Sequence, residues 1–149
     1  IRYIKEKKPT LGFLHLDHVD HAGHHGGHGT DEYYTAVAKT DSLVGKILEG
    51  IKDAGIEDKT LVIIWSDHGG KGKGHGGPTL EEAEVAGIFY GRGVKKGYEI
   101  EQQVYTYDLA STIAYVLKVN QPYAWIGRPV KPAFEGLAEP ANLGLGQKQ

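Results

Sequence analysis

Apolar and polar positions along the chain change period several times, and each change predicts an element. The first residues, IRYIKEKKP, place Ile1 and Ile4 on one face with lysines gathered towards Pro9, the pattern of a helix ending. Leu11–Asp17 (LGFLHLD) is short, aliphatic and aromatic, and predicts a buried strand. Residues 20–29 (DHAGHHGGHG) hold four glycines and predict a loop rather than a helix. Thr30 then offers an N-cap, and Val37, Leu43, Val44, Ile47, Leu48 and Ile51 form a helical stripe over about 31–54, with Gly55 at its end.

Thr60–Trp65 (TLVIIW) is continuously apolar and β-branched, which predicts a strand buried on both faces in a parallel sheet. Residues 69–78 (GGKGKGHGGP) predict a loop, 84–93 a strand and 99–105 a weaker one. Asp108 is placed to cap a helix over about 109–118 that turns Leu109, Ile113, Val116 and Leu117 inward. From Pro122 the chain reads as loop, and 139–149 as a tail with little to pack. The order of strand, loop, long helix and strand is an α/β pattern, expected to form part of a single domain over 1–138. In open sheets of this kind ligands bind beyond the carboxyl ends of the strands, where both glycine-rich loops leave.

Composition narrows the function classes. The chain has 149 residues, 40% hydrophobic and 24% charged, enough apolar material for a core and too much for disorder. Its net charge of −2 gives no global basic footprint for nucleic acid. No apolar run is long enough for a transmembrane segment. Cysteine is absent, which excludes disulfides, thiolate chemistry and Cys-based zinc sites. The chain lacks Met and begins at Ile1, so it is expected to be the C-terminal piece of a longer protein.

Histidine carries the chemistry. Six of the eight histidines lie between His15 and His28; the others are His68 and His75. Asp20 and His24 stand four apart, Asp67 and His68 are adjacent past a strand, and His75 follows in a glycine-rich loop. Neutral imidazoles and carboxylates suit zinc, manganese and similar ions. Five candidate ligands exceed the three protein ligands of a mononuclear catalytic zinc, which suggests three on one ion and two on another. Asp17–His21 and His24–His28 repeat the spacing of Asp20–His24, so the register within this loop stays open on spacing alone. His15 falls within the expected strand and reads as a core residue or as a support for the ligands, and His18, His25 and His28 as exposed or substrate-side. Lys71 and Lys73 read as solvated loop lysines or as contacts to an anionic substrate, and Asp41 as a supporting or surface polar residue. No glycine motif matches a Walker A loop or a dinucleotide fingerprint.

The runs LDHVDHAGHHGGHGTDEYYTAVAKTDSLVGKIL, TLVIIWSDHGG, GHGG, YDLASTIAYVL and WIGRPV resemble the C-terminal half of the alkaline phosphatase superfamily, in its type I phosphodiesterase/nucleotide pyrophosphatase branch, over roughly residues 10–136. The family's D-x-x-G-H stands as Asp20-His21-Ala22-Gly23-His24, its S-D-H-G as Ser66–Gly69 and its H-G as His75-Gly76. The resemblance implies a mostly parallel sheet flanked by helices. It implies that Asp20, His24 and His75 hold one divalent ion and Asp67 and His68 a second, zinc or manganese. On spacing, Asp17 and His21 read as supporting partners of the ligands or as a decoy, and His28 as exposed or substrate-side. The resemblance further implies a small phosphate-ester substrate, a Ser or Thr nucleophile from a missing N-terminal half, and a periplasmic or secreted setting. The alternatives are a sulfatase or phosphonate hydrolase of the same superfamily, or a non-catalytic His-rich metal-binding module.

Overall fold

The computed structural model describes residues 1–136; the tail expected over 139–149 lies outside the described residues. Ile1–Arg92 and Gly93–Gln149 form two compact units.

In the first unit, helix α1 (Arg2–Lys7) ends at Lys8, which takes a left-handed conformation just ahead of Pro9. Ile1 leans on Gly50, where an added Cβ would stand 3.0 Å from its side chain, and Lys5 pairs with Asp53 at 2.7 Å. Leu11–Asp17 is not the buried strand the composition suggests. It is extended chain without a strand partner, with Leu11, Phe13 and Leu14 exposed, and His15 is exposed rather than in a core. A strand needs a neighbour to take its ladder hydrogen bonds, and none of the described segments runs beside this one.

Residues 20–29 also depart from expectation. Helix α2 covers His18–Gly26, and only two of the four glycines, Gly23 and Gly26, lie within it. Tertiary packing overrides propensity here: Ala22 and Gly23 are buried as α2 lies against α3 (Asp31–Asp53). Thr30 caps α3, its Oγ1 accepting from the Tyr33 N–H at 3.3 Å. The inward stripe of α3 runs through Tyr33, Ala36, Thr40, Leu43, Val44, Ile47, Leu48 and Ile51. Val37, expected on that face, is exposed.

Strand β1 (Leu61–Trp65) pairs with β2 (Gly87–Gly91), but antiparallel and half-buried, not as a parallel strand covered on both faces. The connection explains the sense. Parallel neighbours need a crossover, commonly a helix of several turns, whereas only the one-turn helix α4 (Leu80–Ala83) lies between these strands. Trp65 lies over Gly87, which has no side chain to obstruct it, and meets Phe89 edge-on with ring centroids 6.3 Å apart.

The second unit is built around α5 (Asp108–Leu117), and no strand forms at 99–105. Asp108 is not the cap. Tyr107 takes that place, and Asp108, the first helical residue, is buried. Its Oδ2 accepts from the Tyr105 N–H at 2.9 Å and its Oδ1 from the Arg128 N–H at 2.8 Å. Thr112 extends the strap: its hydroxyl donates to the Asp108 carbonyl at 2.7 Å and accepts from the Val130 N–H at 3.0 Å. These bonds rotate the buried face of α5 onto Ser111, Thr112, Ala114 and Tyr115, leaving Leu109, Ile113, Val116 and Leu117 half-buried. Val130, Ala133 and Phe134, from the stretch read as loop, complete this core.

Asp108→Ala removes the acceptor of two backbone donors and is expected to cost about 2 kcal/mol, and Asp108→Asn, which sets an NH2 donor against one of those N–H groups, is expected to cost no less. Urea unfolding measures both. Equal stability of the alanine variant and the parent would show that the carboxylate does not tie α5 to the following segment.

Candidate metal centre

The expected site residues come from α2, the end of β1 and the glycine-rich loop after it. Within α2, Asp20 and His24 are one turn apart on one face, and His24 Nε2 stands 3.4 Å from Asp20 Oδ1. The loop returns His75 to the same oxygen, its Nε2 at 3.8 Å. Among the described residues, Asp20, His24 and His75 form the one group of three whose ligand atoms all lie within 4.8 Å of one another. His68 Nε2 is also 3.8 Å from Asp20 Oδ1 and 3.7 Å from Asp67 Oδ2. The rings of His68 and His75 stack, with centroids 3.7 Å apart. Two carboxylates and three imidazoles thus share one patch, exposed except at the half-buried His68.

The donor set fits a divalent transition ion. Ligands about 2.0–2.1 Å from a tetrahedral zinc are separated from one another by about 3.3 Å, close to the spacing of His24 and His75 from Asp20. Neutral imidazole binds metal through an unprotonated nitrogen, so the other must hold the proton. His24 Nδ1 donates to the Lys73 carbonyl at 2.8 Å, and His68 Nδ1 to the Gly69 carbonyl at 2.8 Å. Both rings are therefore oriented with Nε2 free towards Asp20.

The remaining histidines and acids play other parts. Asp17 is the residue before α2 and lies 3.6 Å from His18 Nδ1; His21 is exposed on the helix. His25 pairs with Glu32 at 2.8 Å. His28, half-buried, bonds to the Gly72 carbonyl at 3.0 Å and packs its ring beside Tyr33. Asp41 is exposed on α3. Lys71 stands 3.7 Å from Glu81, and Lys73 donates from Nζ to the His25 carbonyl at 2.7 Å, so neither is simply solvated. The contributions of the Lys73 and Gly69 carbonyls were invisible in the sequence, because every residue has a carbonyl.

Residues 2–73 match the family model described as Type I phosphodiesterase / nucleotide pyrophosphatase. The chain is also similar to Arylsulfatase K of Danio rerio, 29% identical over 105 residues, covering 67% of this chain and 20% of that protein. Both matches agree with the likeness to the alkaline phosphatase superfamily. A second relative, Calcium-transporting ATPase of Myroides odoratus, is 39% identical over 66 residues, 44% of this chain and 12% of its own length. The chain therefore spans a fifth or less of these curated relatives. No solved structure matches it significantly. Among the described residues, no helix is long and apolar enough to cross a membrane.

The segment that supports His75 is held by Glu81 and Glu82. Gly69 N–H and Gly70 N–H donate to the carbonyls of Glu82 and Glu81, and the Glu82 carboxylate accepts from Gly77 N–H at 2.9 Å and from the Thr79 hydroxyl at 2.7 Å. The Thr79 bond first, then the Gly77 bond, holds the Glu82 carboxyl below its ordinary 4.5. A depressed carboxylate contributes fully above the unfolded value and loses that contribution as pH falls through the folded one. The clasp on Gly77 is thus expected to persist to below pH 4.5 and then open. An NMR titration of the Gly77 amide reads it; a midpoint at or above 4.5 would contradict the clasp.

Proposed function

We propose that this chain forms the metal-binding part of a hydrolase of phosphate esters, of the phosphodiesterase, nucleotide pyrophosphatase or phosphatase type. The observation that carries the reading is the convergence of His24 and His75 on Asp20, beside Asp67 and His68. In this reading Asp20, His24 and His75 hold one divalent ion and Asp67 and His68 contribute to a second, zinc or manganese. Divalent ions at such a centre neutralise charge on the phosphoryl oxygens and on the attacking and leaving oxygens.

The chain's own residues supply the frame. Asp20 provides the central carboxylate oxygen. The Lys73 and Gly69 carbonyls hold the protons of His24 and His68 at Nδ1, keeping both Nε2 lone pairs towards Asp20. The Ser66 hydroxyl donates to the His68 carbonyl at 2.8 Å and not to a side-chain base. A Ser or Thr nucleophile is assigned to the part of the protein beyond these 149 residues, as is completion of a mostly parallel sheet. Asp17 and His21 have no place among the ligands in this reading.

The likeness to an arylsulfatase supports a second reading, a sulfate-ester hydrolase of the same superfamily. Imidazole-rich donors weigh against it where the sulfatase ion is calcium, a hard cation that takes oxygen ligands.

Zinc titration and paired assays test the proposal. His24→Ala and His75→Ala are each expected to weaken zinc binding by about 100-fold or more and to abolish most turnover of bis-nitrophenyl phosphate by the full-length enzyme, while His25→Ala leaves both near the parent's. Faster turnover of nitrophenyl sulfate than of the phosphodiester would favour the sulfatase reading. Zinc binding untouched by His24→Ala and His75→Ala would overturn the assignment of the centre.

A further inference from the structure

We infer that His28 is a positioning residue that holds the His75 loop against α2, setting the distance between His75 and the Asp20–His24 pair. The inference rests on the proposed metal centre for its consequence, but its geometry stands apart from it. His28 follows α2 by two residues, and two bonds run from it to one carbonyl. Its backbone N–H donates to the Gly72 oxygen at 2.7 Å, and its Nδ1 donates to the same oxygen at 3.0 Å. The ring lies between two glycines from separate segments. A Cβ at Gly23, on α2, would stand 2.6 Å from His28 Nε2, and a Cβ at Gly70, in the loop, would collide with the same ring.

This arrangement makes the imidazole a spacer and a tether at once. It sets how near the loop comes to α2, because both flanking positions lack the side chain that would push it out. It also sets the loop's register, because Gly72 is bonded twice and Lys73, the next residue, supplies the carbonyl that orients His24. His75 lies three residues beyond Gly72. Displacement of the Gly72 carbonyl would therefore move His75 and the His24 acceptor together, although His28 itself belongs to no ligand group of the centre. The reading places Gly23 of the D-x-x-G-H run in a steric role: it admits the His28 ring.

Cobalt(II), a coloured stand-in for zinc, provides the test in the full-length protein. His28→Ala is expected to weaken cobalt binding by about 10-fold or more and to change its visible absorption, as a displaced ligand alters coordination. His28→Asn keeps an N–H donor near the Nδ1 position and is expected to recover part of both. In metal-free protein, amide exchange at Gly70 and Lys71 should accelerate in the alanine variant while the middle of α3 keeps its protection. Cobalt affinity and spectrum equal to the parent's in His28→Ala would overturn the inference. If the parent binds no cobalt, the proposed metal centre fails, and the exchange experiment alone decides: faster exchange at Gly70 and Lys71 upholds the tether, and unchanged exchange removes it. If His28→Ala loosens the whole fold, the asparagine variant decides by the same readings.

Discussion

The relation between α2 and the glycine-rich loop depends on the carbonyl oxygen of Gly72. Residues some 44 to 49 positions apart meet there and at the neighbouring Lys73, through bonds from His28, from His24 and back to His25. Closing a connection of that length carries an entropic cost, and one exposed hydrogen bond offsets little of it. Several bonds to two adjacent residues act together, and each is easier to make once another has formed. The α2 side of the contact is rigid because α2 packs on the long helix α3. The loop side is rigid because Glu81 and Glu82 accept its first two amides. His75 is placed by these two anchors rather than by any preference of its own sequence.

Glycine serves this arrangement in two distinct ways. At Gly72 and Gly76 the backbone has positive φ, so the chain turns where a side chain would be strained. At Gly23, Gly69 and Gly70 the requirement is closeness: an added Cβ would strike His28 or the Glu81 carbonyl. A loop rich in glycine is usually read as a flexible one. Here much of that glycine shortens distances between segments, which produces order.

The sequence made the helical frame legible and the sheet less so. The stripe from Leu43 to Ile51 and the Thr30 cap report directly on α3, because a long amphipathic helix repeats its signal many times. Leu11–Asp17 carried a strand's composition, yet composition says nothing of whether a partner lies alongside. The antiparallel sense of β1 and β2 was hidden for a related reason: it depends on how little helix separates them, not on the apolar run itself. Residues 20–29 misled through their glycines, since Gly27 and Gly29 fall just beyond the helix that Gly23 and Gly26 tolerate. The gathering of Asp20, His24, His68 and His75 was legible as three short motifs, although the first of them lies on a helix and not in a loop after a strand. Asp108 illustrates the opposite case: read as a cap, its carboxylate instead bonds a segment twenty residues away, and no local pattern announces that.

Chemical identity alone does not separate the histidines of this chain; what faces Nε2 does. In His24, His28 and His68, Nδ1 lies within 3.0 Å of a backbone carbonyl, so each of the three rings carries a proton at Nδ1. In His24 and His68 the opposite nitrogen faces the carboxylate of Asp20, an arrangement suited to a site for cations. In His28 it faces the bare Cα atoms of two glycines, where a cation would find no second ligand, and the ring can only separate and fasten the segments around it. Equal spacing along the sequence, Asp20 to His24 and His24 to His28, thus gives opposite outcomes. Asp20 and His24 both lie on α2, so four residues return the side chain to the same face. His28 lies past its end, where the chain turns at Gly27 and the helical period no longer applies.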